Sequence, residues 1–270
     1  MIIHLLCNDG SPIGVIPQDI NDRGVGGAEL SMMTLMEKLG ERGHEVIVFN
    51  NPRIVGAHGN VMYLRLDAYN NRIPRDVIII YRSPNKRFHP DHMPTEVKKI
   101  WWSTDQFTVG NYAEFAKKVD YVVTISPYHT KYHHRNYGIE PGKKMNHIDL
   151  GVRLEDYDQD IEKVEGRMIF CSIPDRGLHV LHAAWPLIKR DAPQASLVIT
   201  ADYTLWGASA NIGKHRLDWA GADDVRYVGN IKRKLLVQEQ LKAEIMSYPS
   251  VYEELFCISS AECSVAGALP

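Results

Sequence analysis

The sequence predicts an α/β protein built from two βαβ-type halves facing each other across a cleft. Three observations carry this expectation. Short apolar runs bounded by turn residues alternate with stretches of helical periodicity. The alternation occurs twice, which favours parallel sheets. An acidic, polar segment separates the two series.

Residues 2–7 form the first apolar run. A loop rich in Gly, Pro, Asp and Asn follows over residues 8–25. It is longer than the roughly 2–6 residues of ordinary βα connections, which suits a binding loop and equally a plain surface loop. Gly26-Gly27-Ala28-Glu29 then opens a helix. Its apolar residues Met32, Leu35, Met36 and Leu39 recur at helical spacing, and Gly40 to Gly43 closes it. Glycine allows a backbone to approach a ligand closely, and Gly26 and Gly27 stand after a strand's carboxyl end, where ligands of such sheets bind. The spacing of Gly24, Gly26 and Gly27 does not match the dinucleotide pattern GxGxxG, which counts against a nicotinamide enzyme.

Residues 45–49, 76–81, 97–102, 120–126 and 145–148 read as the further strands of this half. Asp105 falls at the end of one of them, as a candidate for chemistry or as a turn aspartate. Ser126-Pro127 has the form of a helix cap followed by proline at the first helical position. His129 and His133 stand four apart without an acidic third ligand nearby, so a solvated helix face is expected rather than a metal site.

Residues 151–166 hold six acids and read as a solvated linker, the triplet Asp156-Tyr157-Asp158 included. The second half then repeats the pattern. Strands are expected at 167–171, 196–200 and 225–228. Helices are expected from Leu178 through Trp185 to Ile188, with His182 on the packed face, and over 235–241. Arg176 lies on a strand-to-helix loop, where a guanidinium can bind phosphate in a bidentate fork, or can stand as a plain surface charge.

The most informative stretch is 248–270. Tyr248-Pro249-Ser250 reads as a strand end and turn, and a small-residue helix leads to Gly267 and Pro270. Glu254 is expected in the loop and Glu262 early in the helix, with seven residues between them. The amides of Cys257, Ile258 and Ser259 would face outward from the helix start, which suits an anion. Carboxylates beside an anion site suit a ligand that carries phosphates and hydroxyls together.

Composition bounds the alternatives. The chain has 270 residues, 44% apolar and 24% charged, with net charge −2, so a nucleic-acid surface is not indicated. Its four cysteines show no paired-ligand spacing, which suits a reduced, cytoplasmic setting. No run approaches the roughly 20 apolar residues of a membrane helix, and peripheral membrane contact stays open.

Gly26-Gly27-Ala28-Glu29 with Gly43-His44-Glu45-Val46 resembles the N-terminal signature of the family 4 retaining nucleotide-sugar glycosyltransferases. Residues 122–126 through Gly138-Ile139 and 148–152, Arg176-Gly177-Leu178 with Trp185-Pro186, and Glu254-x7-Glu262 are similar to successive motifs of that family. The resemblance spans nearly the whole chain. It implies two Rossmann-like domains facing across a cleft (the GT-B fold): an acceptor-side domain over 1–152, a linker over 153–166 and a nucleotide-sugar domain over 167–270. It also implies residue roles. Glu254 would lie by the donor sugar and Glu262 by the ribose. Arg176 and the amides of Cys257, Ile258 and Ser259 would hold the diphosphate, with Gly26 and Gly27 approaching it and backbone near Gly229 meeting the base. Asp105 is the second catalytic candidate. Transfer from a nucleotide diphosphate sugar to a glycan, lipid or protein hydroxyl, retaining and without metal or other cofactor, is the implied activity.

Three departures accompany the resemblance. Ser172 stands near where many members carry a second cation. Ser103-Thr104-Asp105 stands where many carry a histidine. Members continue beyond Gly-x-x-Pro, so a second domain that ends early at Pro270 is expected. A nucleotide-sugar-binding remnant without turnover, and a nucleotide-sugar epimerase, are the alternative expectations.

Overall fold

The computed structural model describes residues 1–7, 14–82, 89–106, 112–142, 144–200, 202–206 and 212–270. Residues 8–13 of the long loop after the first strand lie outside them. The chain divides into two compact units. The first holds residues 1–17 and 28–150; the second holds 18–27 and 151–270.

The first unit is an eight-stranded mixed sheet. Its strands are β1 (Ile2–Cys7), β2 (Glu45–Phe49), β3 (Gly56–His58), β4 (Val61–Leu64), β5 (Val77–Tyr81), β6 (Lys98–Trp102), β7 (Tyr121–Thr124) and β8 (Met145–His147). They lie in the order β3-β4-β2-β1-β5-β6-β7-β8, and all neighbours are parallel except β3 and β4. Helices α1 (Asp19–Asp22), α2 (Gly27–Glu41), α3 (Tyr112–Lys118) and α4 (Pro127–Tyr137) occur along the same stretch of chain. The runs in β1, β2 and β5 are buried almost throughout, as in a sheet covered on both faces. The β3–β4 hairpin was not legible as strands. It turns at Gly59, whose φ is +61°.

The cap of α4 forms as its sequence indicates. Ser126 Oγ accepts the backbone N–H of His129 at 2.9 Å, proline follows, and Gly138 ends the helix at φ +63°. The expected solvated face of α4 is corrected: His129 and His133 are both buried. Their rings stack at 4.5 Å, His133 lies edge-on to Trp101 at 5.2 Å, and Ser103 Oγ meets His133 Nε2 at 2.9 Å. Aromatic packing makes these imidazoles part of the core.

The second unit is a four-stranded parallel sheet in the order β11-β10-β9-β12. Its strands are β9 (Arg167–Phe170), β10 (Ser196–Ile199), β11 (Val225–Tyr227) and β12 (Ile245–Met246). Helices α5 (Leu178–Asp191), α6 (Ile212–Asp218), α7 (Arg233–Lys242) and α8 (Ile258–Val265) connect and follow the strands. His182, expected on the packed face of α5, is exposed. It rests edge-on against Trp219 at 4.9 Å, with its Nε2 2.8 Å from the Asp218 carbonyl. The expected solvated linker is also corrected at one point: Tyr157 is buried and packs on Val237 and Leu241.

Each sheet has one place where the strand order reverses. In the first it lies between β1 and β5; in the second, between β9 and β12. Loops leaving adjacent strands in opposite directions open a crevice there, where ligands of such sheets bind.

Candidate functional site

In the second unit, the loops after β9 and β12 meet. Arg176 ends a 3-10 turn, Pro174–Arg176, and Gly177 follows at φ +102°. A Cβ on Gly177 would stand 2.1 Å from the Pro249 carbonyl oxygen, so the two loops touch because residue 177 has no side chain. The contact delivers Arg176 to the opposite loop. Its Nη1 donates to Glu254 Oε1 at 2.6 Å, and its guanidinium lies over the Tyr252 ring, 3.3 Å from the centroid. The Tyr248 hydroxyl donates to the same carboxylate oxygen. Thus the sequence-predicted Arg176 and Glu254 are brought into one ion pair, with side chains 19% and 27% exposed.

Helix α8 starts beside this pair in the chain. Cys257 is its N-cap residue and supplies no oxygen to cap the first amides. The first N–H groups of a helix lack intrahelical partners, so the amides at Ile258 and Ser259 have the character of an anion cradle. The Cys257 thiol adds no negative charge at neutral pH, because burial pushes its pKa up to about 11. Ser259 Oγ donates to the Cys171 carbonyl at 3.1 Å and ties α8 to the end of β9.

Glu262 lies one turn deeper and is 4% exposed. Arg233 Nη1 donates to its Oε1 at 2.7 Å, and Gln240 Nε2 to its Oε2 at 3.4 Å. Arg233 also donates to Asp156 Oδ2 at 2.8 Å and to the Tyr157 hydroxyl at 3.2 Å, and that hydroxyl donates to Gln240 Oε1 at 2.7 Å. Asp156 and Tyr157 of the acidic triplet therefore join this network. Burial pushes the Glu262 carboxyl above the ordinary carboxylate range, and the Arg233 charge offsets part of that effect.

Gly229 sits at φ +72°, and a Cβ there would stand 2.7 Å from Asp202 Oδ2. The same carboxylate oxygen accepts the Asn230 N–H at 3.2 Å. Gly26 and Gly27 group with the second unit, and a Cβ on Gly27 would stand 2.3 Å from Ile258 Cγ2. Here the glycine admits α8's first residue where a side chain would stand.

Asp105 belongs to the first unit. Arg82, next after β5, holds it in a fork: Nε to Oδ2 at 2.8 Å and Nη2 to Oδ1 at 3.1 Å. Arg82 Nη1 reaches Glu29 Oε1 at 2.9 Å. Burial works against the Arg82 charge, yet the two carboxylates outweigh it and its pKa stands above the ordinary arginine value.

Sequence reasoning missed Arg82, Arg233 and Tyr252. Arg233 is separated from Glu262 by a helix, a strand and a loop, and an arginine in a polar helix carries no sign of a buried partner. Tyr252 lies in a loop, and an aromatic there carries no sequence sign of a guanidinium partner. Among the described residues no group of three or more His, Cys, Asp and Glu side chains is gathered to hold a metal ion. Among the same residues no helix is long and apolar enough to cross a membrane.

No protein-family model and no curated protein matches this sequence. Solved structures match over nearly its whole length. Sucrose-phosphate synthase from Thermosynechococcus elongatus is similar at a TM-score of 0.68 and 16% identity, covering 99% of this chain and 79% of that one. AviGT4, a glycosyltransferase involved in avilamycin A biosynthesis, is similar at 0.66 and 17%, covering 99% and 77%. HepE from Anabaena, solved in complex with UDP-glucose, is similar at 0.65 and 14%, covering 99% and 79%. At these identities the likeness shows the fold: the two α/β units have the architecture of GT-B glycosyltransferases.

Proposed function

We propose that the chain binds a nucleoside diphosphate sugar in its second unit and transfers the sugar to an acceptor hydroxyl, with retention of configuration and without a metal. One observation carries this reading. A guanidinium and a carboxylate, Arg176 and Glu254, meet at the topological switch point, next in sequence to the start of α8. Arg176 and the amides of Ile258 and Ser259 stabilise the diphosphate as it leaves, in the role a metal has elsewhere. Glu254 accepts hydrogen bonds from the sugar's hydroxyls. The acceptor oxygen attacks on the face from which the diphosphate departs, and its proton goes to the leaving phosphate. The fold shared with HepE, solved with UDP-glucose, supports this donor class. Four free cysteines suit a cytoplasmic setting.

Glu262 holds α8 to α7 through Arg233. Its carboxylate already accepts from Arg233 at 2.7 Å and Gln240 at 3.4 Å, which leaves it fewer lone pairs for a ribose hydroxyl. That commitment favours a second reading, a nucleotide-sugar-binding protein without turnover. Calorimetric titration with UDP and UDP-glucose, followed by an assay for released or transferred glucose, separates the two. Binding with turnover supports the transferase and binding without turnover the second reading. If no nucleoside diphosphate in a panel binds, both fail.

A further inference from the structure

A cavity of about 540 Å³ lies in the first unit at the amino ends of β6, β7 and β8, the opposite end of these strands from the loops at their carboxyl ends. Lys99, Lys117, Lys118 and Lys144 line it, together with Thr95 and Asp120. The carboxylates around it are engaged elsewhere. Asp91 pairs with Lys118, and Glu114 with Lys117 at 2.7 Å. Asp120 accepts from Lys98 Nζ at 3.2 Å and from the Lys99 backbone N–H at 2.8 Å, and Glu96 accepts the Thr95 hydroxyl at 3.4 Å. The ammonium groups of Lys99 and Lys144 meet carbonyls instead. Lys99 Nζ donates to the Val97 carbonyl at 3.1 Å and Lys144 Nζ to the Lys117 carbonyl at 2.8 Å, and neither is ion-paired with a carboxylate among the described residues. Lys99 is moreover only 7% exposed. A lysine is almost never buried without a partner of opposite charge, because desolvation works against the ammonium and a carbonyl dipole offsets only part of that cost.

We propose that this cavity is a binding site for a phosphate group, with Lys99 and Lys144 as the cations that hold it. An ammonium has three donors, and each of these two spends one on a carbonyl, so donors remain for phosphate oxygens. A phosphate monoester carries about two negative charges at neutral pH, which matches two ammonium groups better than the single charge of a carboxylate does. The site is independent of the donor reading, because its residues belong to the first unit and Arg176 and α8 belong to the second.

The test is protection of Lys144 in the full chain from acylation by an N-hydroxysuccinimide ester, read by peptide mass spectrometry. Lys38 of α2, outside the cavity, is the control. The probes are inorganic pyrophosphate, against potassium chloride of equal ionic strength, and phosphatidylcholine vesicles with and without phosphatidic acid. Pyrophosphate at about ten times its Kd is expected to slow Lys144 labelling roughly tenfold and to leave Lys38 unchanged. That result assigns a soluble phosphate compound, whereas protection by the phosphatidic acid vesicles alone assigns a lipid headgroup. Protection by neither, or equal slowing at Lys38, overturns the proposal. Lys144→Gln can still donate to the Lys117 carbonyl and is expected to weaken binding of the protecting probe about tenfold. Lys99→Met should also lose binding, yet raise the urea midpoint of the unliganded protein, since it removes a buried charge that only a carbonyl meets. A lysine with a merely structural role would lower that midpoint, and a lowered midpoint counts against the site. Pyrophosphate binding that Lys144→Gln keeps and Arg176→Gln loses belongs to the loops of the second unit, which overturns this site and leaves the donor reading standing.

Discussion

Arg176 and Glu254 hold each other at 2.6 Å where the loops after β9 and β12 meet, so the cation proposed to meet the diphosphate is already paired with the chain's own carboxylate. On that proposal, a diphosphate competes with the carboxylate for Arg176. Glu254→Gln keeps the shape of the side chain and removes its charge. It is expected to tighten UDP binding roughly two- to fivefold, the scale of one part-exposed ion pair, while transfer falls. Isothermal titration of parent and variant with UDP checks it. Unchanged or weaker binding would show that Arg176 does not meet the phosphates.

Gly177 sets the approach of the two loops. Alanine there meets the Pro249 carbonyl oxygen at 2.1 Å and is strained at φ +102°. Gly177→Ala is expected to destabilise the protein by about 2–4 kcal/mol, more than an ordinary surface change. Denaturant unfolding measures this, and a loss within about 0.5 kcal/mol would contradict it.

Much of this was legible beforehand. The buried runs of β1, β2 and β5 announce themselves, because a strand covered on both faces is continuously apolar. Ser126, Pro127 and Gly138 marked the ends of α4 by local chemistry alone. Arg176 and Glu254 could be placed on loops because turn residues flank both. Their pairing could not, since it depends on β12 adding beside β9. The positive φ of Arg82, +65°, has no sequence sign, arginine being an unusual residue there. His129 and His133 read as solvated because imidazole counts as polar, while here its ring stacks in an aromatic cluster.

Acid should loosen the first unit. Burial lowers the pKa of His4 to about 4, His129 to about 3 and His133 to about 4. An unfolded histidine takes up its proton near pH 6.5, so between pH 6.5 and 4 the unfolded chain binds protons that the native state refuses. Stability from these groups is fully present above pH 6.5 and falls as pH drops, at up to about 1.4 kcal/mol per pH unit for each. His4 offers the cleanest test. It is fully buried against Phe49 and Tyr69, and neither ring nitrogen has a hydrogen-bond partner among the described residues. His4→Phe is expected to stabilise the protein by about 1 kcal/mol at pH 7. The advantage should widen by roughly 2 kcal/mol at pH 5. Urea unfolding at the two pH values checks both numbers, and an advantage that does not grow with acid would refute the assignment.

Arg233 and Glu262 form the most buried ion pair described in the second unit, each side chain 6% exposed. A buried pair is weak evidence of net stabilisation, because desolvation opposes the Coulomb attraction, but breaking it leaves a charge without its counter-ion. Arg233→Leu strands Glu262 among α7 and α8 and is expected to cost about 3–5 kcal/mol. Glu262→Leu leaves Arg233 with Asp156 and Tyr157 and should cost less. The double variant removes both charges and should recover a large part of the Arg233→Leu loss, giving a coupling of roughly 2 kcal/mol or more. Additive losses would mean that the two residues act independently. The cycle also bears on ligand binding. If Glu262 serves by fixing α8, a Glu262→Leu protein that stays folded weakens UDP binding in step with its loss of stability. If instead its carboxylate meets the ribose, Glu262→Gln, which can still accept from Arg233, binds UDP more weakly at unchanged stability. Titration with UDP beside the unfolding curves distinguishes these outcomes.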